Sequence, residues 1–137
     1  MVARITLPND RSSFFDLRAF AEGFAAREGL SDVMGNRLVL ILEELFTNVH
    51  KFGRGDHSAK VIDVGLERVG DDLLVAFADD GGAFNPLGLP IPRMDRNVDE
   101  RPVGGLGFHI VRSMTRKLRY ERTGSWNRLH LVCAVRP

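Results

Sequence analysis

The sequence predicts an α/β two-layer sandwich: a mostly antiparallel mixed sheet carrying three helices on one face. Three observations lead there. Apolar residues recur at helical spacing in three segments, alternate at period two in others, and two of the alternating stretches fold back on turn signals. Hairpins pair antiparallel strands, and three amphipathic helices need one apolar surface to cover.

Val2 to Leu7 alternates as a short first strand, closed by Pro8 and Asn9. Asn9 or Asp10 can cap the first helix, where Phe14, Leu17, Ala21, Phe24 and Ala25 share a face and Arg18, Glu22 and Arg27 lie elsewhere. Gly29 ends it, and Ser31 or Asp32 opens the second, whose broad apolar face from Leu38 to Phe52 includes Ile41, Leu42, Leu45, Phe46 and Val49. Val61 to Arg68 and Leu73 to Ala78 form a hairpin around Gly70-Asp71-Asp72. Asp79 to Pro92 is rich in glycine and proline and reads as loop, and Arg93 to Pro102 is charged and aperiodic, the pattern of a mobile segment. Helical spacing returns with Leu106, Ile110, Val111, Met114 and Leu118. Two last strands, Arg119 to Arg122 and Arg128 to Val135, are joined through Thr123-Gly124-Ser125.

A chain of 137 residues, 44% hydrophobic and 27% charged, can bury a core as one domain spanning residues 1–137 without disulfides or metal staples. Its net charge of +1, from 19 basic and 18 acidic side chains, gives no footing for a nucleic-acid or anionic-membrane partner. Cys133 is the single cysteine and sits in an apolar run, the pattern of a buried strand residue. Asn9, Asp10 and Arg11 interrupt any signal core, and no stretch approaches the ~20 apolar residues of a membrane span, so the expected location is cytoplasmic.

Three short patterns carry chemistry. Glu44 and Asn48 lie four apart on the most apolar helix, hence on one face about 5.4 Å from each other along the axis. An amide oxygen can take one position on a magnesium ion, and a carboxylate can orient a hydroxyl nucleophile. Glu43, about 100° round the helix, is expected to be solvated. Asp79-Asp80-Gly81-Gly82-Ala83-Phe84-Asn85-Pro86 follows an apolar strand, and a carboxylate there can accept from an adenine amino group while Gly81 permits close approach. Gly104-Gly105-Leu106-Gly107 opens a helix, where backbone N–H groups and the helix dipole suit phosphate. Each pattern alone also fits a plainer reading: a polar stripe, a turn, a glycine cluster. The four histidines show no metal-ligand spacing.

In order and separation, these patterns resemble the histidine-kinase-like ATPases, and more narrowly the stand-alone bacterial anti-sigma factor serine/threonine kinases. Leu42-Glu43-Glu44-Leu45-Phe46-Thr47-Asn48 is similar to that family's N box. Asp79 to Pro86 is similar to its first glycine box, and Gly104-Gly105-Leu106-Gly107-Phe108-His109-Ile110-Val111 to its second. The resemblance covers Val2 to Val135 and implies a Bergerat-type ATP-binding fold with ATP and Mg2+ as cofactors. It implies that Asn48 holds the metal, that Glu44 is the general base, and that Asp79 and Gly81 receive the adenine. Gly104, Gly105, Leu106 and Gly107 would cradle phosphates, and Pro86 to Val103 would cover them as a lid. The implied partners are an anti-anti-sigma (STAS-type) protein and a sigma factor, with a homodimer allowed. Departures from the family pattern are Ala83 in place of a second glycine, Phe52 where relatives often carry histidine, and no Gly-Thr phosphate contact in the stretch from Thr123 to Arg128. Two alternatives share the motifs: an ATP-binding partner-switching module without kinase activity, and a detached ATPase domain of a sensor kinase. The second is disfavoured by the short lid, the Phe-Asn-Pro ending and the lack of a preceding helix pair with a phospho-acceptor histidine.

Overall fold

A computed structural model of the chain describes residues 2–52, 59–88 and 105–136, with no account of the side chains of residues 51, 52, 105 and 106. The elements run β1 (Ala3–Pro8), α1 (Arg11–Arg27), α2 (Asp32–Phe52), β2 (Val61–Val69), β3 (Asp72–Asp79), α3 (Gly105–Ser113), β4 (Lys117–Thr123) and β5 (Trp126–Ala134). The five strands form one sheet in the order β1-β2-β3-β5-β4, and all pairings are antiparallel. This is the expected sandwich.

Period two builds its core. Ile62, Val64 and Leu66 on β2, Leu73, Val75 and Phe77 on β3, and Leu129, Leu131 and Cys133 on β5 are buried on the side that the helices cover. Leu17, Ala21 and Phe24 of α1, Leu38, Ile41, Leu42 and Leu45 of α2, and Phe108 and Val111 of α3 meet them. Each fully buried Leu or Phe contributes on the order of 2 kcal/mol through burial. Asp10 caps α1, its carboxylate accepting from the Ser13 N–H at 3.1 Å. Gly70 and Gly124, both at φ 60°, turn the two hairpins in a backbone region that L side chains rarely adopt. Cys133 lies in this core, where burial pushes its thiol up to about 11, so it is inert at neutral pH.

Several expectations need correction. Leu118 is not part of the third helix, which ends at Ser113; it belongs to β4, which begins at Lys117. The i, i+4 step from Met114 imitated a further helical turn, but the chain had already reversed to pair with β5. Glu43 is not a solvated residue: its carboxylate meets the Arg18 guanidinium of α1 at 3.0 Å and is largely shielded from solvent. Arg112 of α3, for which no contact was expected, donates to the Leu87 carbonyl at 2.6 Å, and its guanidinium lies over the Phe108 ring. The expected mobile segment from Arg93 to Pro102, and most of the expected lid, fall outside the described residues; Pro86–Gly88 form a single 3-10 turn.

Candidate active site

The candidate residues converge at one end of the sheet, where α2 crosses the C-terminal end of β3. Asn48 is in step with Ile41 and Leu45 on the core-facing stripe of α2, so its amide is buried, with 5% of its surface exposed. Its side-chain nitrogen has no hydrogen-bond partner among the described residues. An orphaned buried amide costs about 1–3 kcal/mol, a cost that a bound partner would offset. It lines a narrow cleft with Val49, Asp79, Phe84 and Asn127. A larger hollow of about 340 Å3 lies on the helix-free face of the sheet, floored by Gly65 and Ala76, and is lined by none of these residues.

Asp79 is the last residue of β3 and keeps the phase of Leu73, Val75 and Phe77, so its side chain lies on the helix-covered face. The register sets Asn127 of β5 directly opposite it, and Arg122 of β4 opposite Asn127. Asp79 Oδ1 accepts from the Gly81 N–H at 2.9 Å and from Asn127 Nδ2 at 3.0 Å. Asp80 is used differently. Its Oδ1 accepts from the N–H groups of Lys60 and Val61 at 2.7 and 2.9 Å and ties the loop to the start of β2. The two neighbouring carboxylates are thereby distinguished: Asp79 faces the cleft and Asp80 does not. Burial raises the pKa of Asp79 above the ordinary carboxylate value, with Asp80 adding to the rise; the bonds from Asn127 and Gly81 and the charge of Arg122 oppose it.

Gly81 is buried, and a Cβ there would stand 3.0 Å from Asp79 Oδ1 and 3.1 Å from the Ala59 nitrogen. Gly105 and Leu106 form the first turn of α3, whereas Gly104 lies outside the described residues. Gly107 backs onto Glu44: a Cβ at this position would fall 2.0 Å from Glu44 Oε2. The Glu44 carboxylate thus reaches from α2 to the first turn of α3, where the helix dipole favours negative charge.

A profile for the histidine kinase-like ATPase domain matches residues 7–133. The chain belongs to this family. It is 28% identical over 124 residues to the serine/threonine-protein kinase BtrW of Bordetella bronchiseptica, an alignment covering 89% of this chain and 86% of that protein. Among solved structures, the RsbU and RsbW domains of Rv1364c from Mycobacterium tuberculosis superpose with a TM-score of 0.68 at 15% identity, over 98% of this chain and 32% of that one. The histidine kinase domain of a blue-light-activated kinase from Erythrobacter litoralis superposes with a TM-score of 0.53 at 17% identity, over 94% of this chain and 62% of that one. This chain therefore spans about a third of the first solved chain and under two thirds of the second. At these identities both superpositions speak for the fold.

For a histidine kinase-like ATPase domain, the donor set fits a magnesium–nucleotide guest. The Asn48 amide is buried at the cleft, its side-chain nitrogen without a partner among the described residues, and its oxygen is the kind of ligand magnesium takes. Magnesium is commonly held this way, by one or two protein groups with phosphate and water completing the shell. Asn127, not among the residues expected at the site, is 5% exposed and bonds to three segments: the end of β3, the loop after it and β4. The signal was available: Asn127 is in phase with Leu129, Leu131 and Cys133, a polar residue on an apolar face.

Two outcomes are expected from this geometry. Asp79→Asn should raise the melting temperature of the nucleotide-free protein at neutral pH while weakening ATP. Because the folded pKa of Asp79 lies above its unfolded value, its contribution to stability is fully present below the unfolded pKa and is lost as pH rises through the folded one. Asparagine removes that loss, and the gain should vanish in acid; thermal melts from pH 3 to pH 8 check it, with Asp80→Asn as the control. Gly107→Ala should leave the fold as stable or slightly more so, since alanine is the better helix former by about 1 kcal/mol. Its methyl must displace the flexible Glu44 carboxylate, and if that carboxylate serves phosphoryl transfer the rate should fall by about 10²-fold, the usual cost of a misplaced group. Melting curves and transfer rates on one preparation separate the two effects.

Proposed function

We propose that this chain is a cytoplasmic, single-domain serine/threonine protein kinase of the anti-sigma type. It would use Mg–ATP to phosphorylate a serine of a small STAS-type anti-anti-sigma protein and, when that antagonist is modified, hold a sigma factor. The observation that carries the reading is the placement of Glu44, one helical turn from the buried Asn48 and against the first turn of α3. The likeness to BtrW over most of both chains supports the same activity.

In this reading Asn48 binds the metal through its side-chain oxygen, and Asp79 accepts the adenine amino group in the space that Gly81 leaves open. Bound magnesium supplies neutralisation of phosphate charge. The backbone N–H groups at Gly104, Gly105, Leu106 and Gly107 hold the phosphate oxygens at the start of α3. Glu44 takes the proton of the attacking serine hydroxyl as its oxygen bonds to the γ-phosphorus and ADP departs with the bridging oxygen. Incubation with γ-labelled ATP and a STAS-type antagonist tests this: label should appear on one serine of the antagonist. An antagonist that binds the protein yet stays unlabelled would refute the kinase and leave a partner-switching module.

A further inference from the structure

Asn127 stands at the centre of a saturated hydrogen-bond network. Its Oδ1 accepts from the Tyr120 hydroxyl at 2.6 Å, the Phe84 N–H at 3.1 Å and Arg122 at 3.2 Å. Its Nδ2 donates to Asp79 Oδ1 at 3.0 Å and the Gly82 carbonyl at 2.9 Å, with the Gly81 carbonyl at 3.5 Å. The amide can adopt only one orientation, because donors surround its oxygen and acceptors its nitrogen. Arg122 also donates to the Gly81 carbonyl at 2.8 Å, so β4 and β5 together fix the loop that follows β3. One oxygen of Asp79 is thereby consumed by Asn127 and Gly81. Oδ2 is left as the acceptor with no bond among the described residues, at the cleft that Asn48, Val49 and Phe84 line.

We infer that Asn127 is a positioning and specificity-determining residue: by clamping Asp79 Oδ1 it presents Oδ2 as a fixed acceptor, which selects a base offering an N–H donor over one offering a carbonyl. The inference rests on the reading of Asp79 as the adenine acceptor. Tyr120 acts one step behind it by holding the amide in register. The clamp also favours the charged form of the carboxylate, opposing the rise that burial imposes. The charged and titratable groups around Asp79 are Asp80 from its own loop and Arg122 and Tyr120 from β4. Packed against it, α2 presents Asn48 and Val49, β2 Ile62 and β5 Asn127.

The test is calorimetry of the full chain with Mg–ATP and Mg–GTP from pH 5 to pH 8, on wild type, Asp79→Asn, Asn127→Leu and Tyr120→Phe. Asn127→Leu should weaken ATP by about 10- to 100-fold and GTP much less, the range for losing a bond to a charged group. The pH below which ATP affinity falls should move upward in Asn127→Leu, and that acid limb should be absent in Asp79→Asn. Tyr120→Phe should act in the same direction by about 3- to 10-fold, and it preserves the test if the leucine variant does not fold. A merely structural loss would lower ATP and GTP in proportion and leave the acid limb in place; that result overturns the inference. ATP weakened by Asp79→Asn but not by Asn127→Leu or Tyr120→Phe also overturns it while sparing the Asp79 reading. An Asp79→Asn protein with wild-type ATP affinity overturns both.

Discussion

Glu44→Gln should bind Mg–ATP within a few-fold of wild type and transfer its phosphate to a cognate antagonist about 10²–10⁴ times more slowly. Glutamine has nearly the shape of glutamate, so the contact between α2 and the first turn of α3, where Glu44 Oε2 faces Gly107, survives. On the proposed function, what is lost is a site for the serine proton in the transition state, and a positioned base contributes about this much. The loss should fall on the chemical step measured in single turnover and not on apparent nucleotide affinity. Glu43→Gln makes a telling comparison. Glu43 lies next in sequence but points to Arg18 of α1, so its amide variant should forfeit an ion pair worth ~0.5 kcal/mol and leave transfer unchanged. Equal transfer rates for Glu44→Gln and wild type would place the base elsewhere.

Asn48→Ala should weaken Mg–ATP by at least about 10²-fold while the nucleotide-free fold melts at the same temperature or higher. Even outer-shell ligand supports cost about 10- to 100-fold when removed, and a direct ligand costs no less. The stability side follows from burial. The asparagine nitrogen is buried without a partner among the described residues, and its removal relieves a penalty of about 1–3 kcal/mol in a helix that alanine favours. Opposite signs for binding and stability are the mark of a residue kept for its ligand. Calorimetry and a thermal melt of the same variant measure both, and a variant that loses stability while keeping its ATP affinity would assign Asn48 to packing.

The fold was legible because period and punctuation agree. The apolar stripes of α1 and α2, the turn at Gly70 and the alternation from Val61 onward all belong to the elements they announced. Boundaries were less legible where two periods overlap: Leu118 continues a helical count from Met114 and also belongs to the alternating face of β4. At the site, Glu44 and Asn48 could be named from their four-residue spacing on an apolar helix, and Asp79 from its place at the end of an apolar strand before glycines. Asn127, a polar residue in phase with an apolar face, is the second residue of a strand expected to begin only at Arg128, so it fell outside the expected element. The pairing of Glu43 with Arg18 and of Arg112 with Leu87 depends on how helices cross and where a loop returns. No spacing within one segment encodes either contact.

Direct titration of the wild-type chain tests most simply for the proposed magnesium–adenine nucleotide site between α2, the end of β3 and the start of α3. Calorimetry with ATP in the presence of Mg2+ should give saturable binding with one nucleotide per chain, much reduced when the metal is chelated. GTP should bind at least ~10-fold more weakly, because guanine offers Asp79 a carbonyl where adenine offers an amino group. No saturable heat with Mg–ATP, or equal affinity for ATP and GTP, would contradict the account.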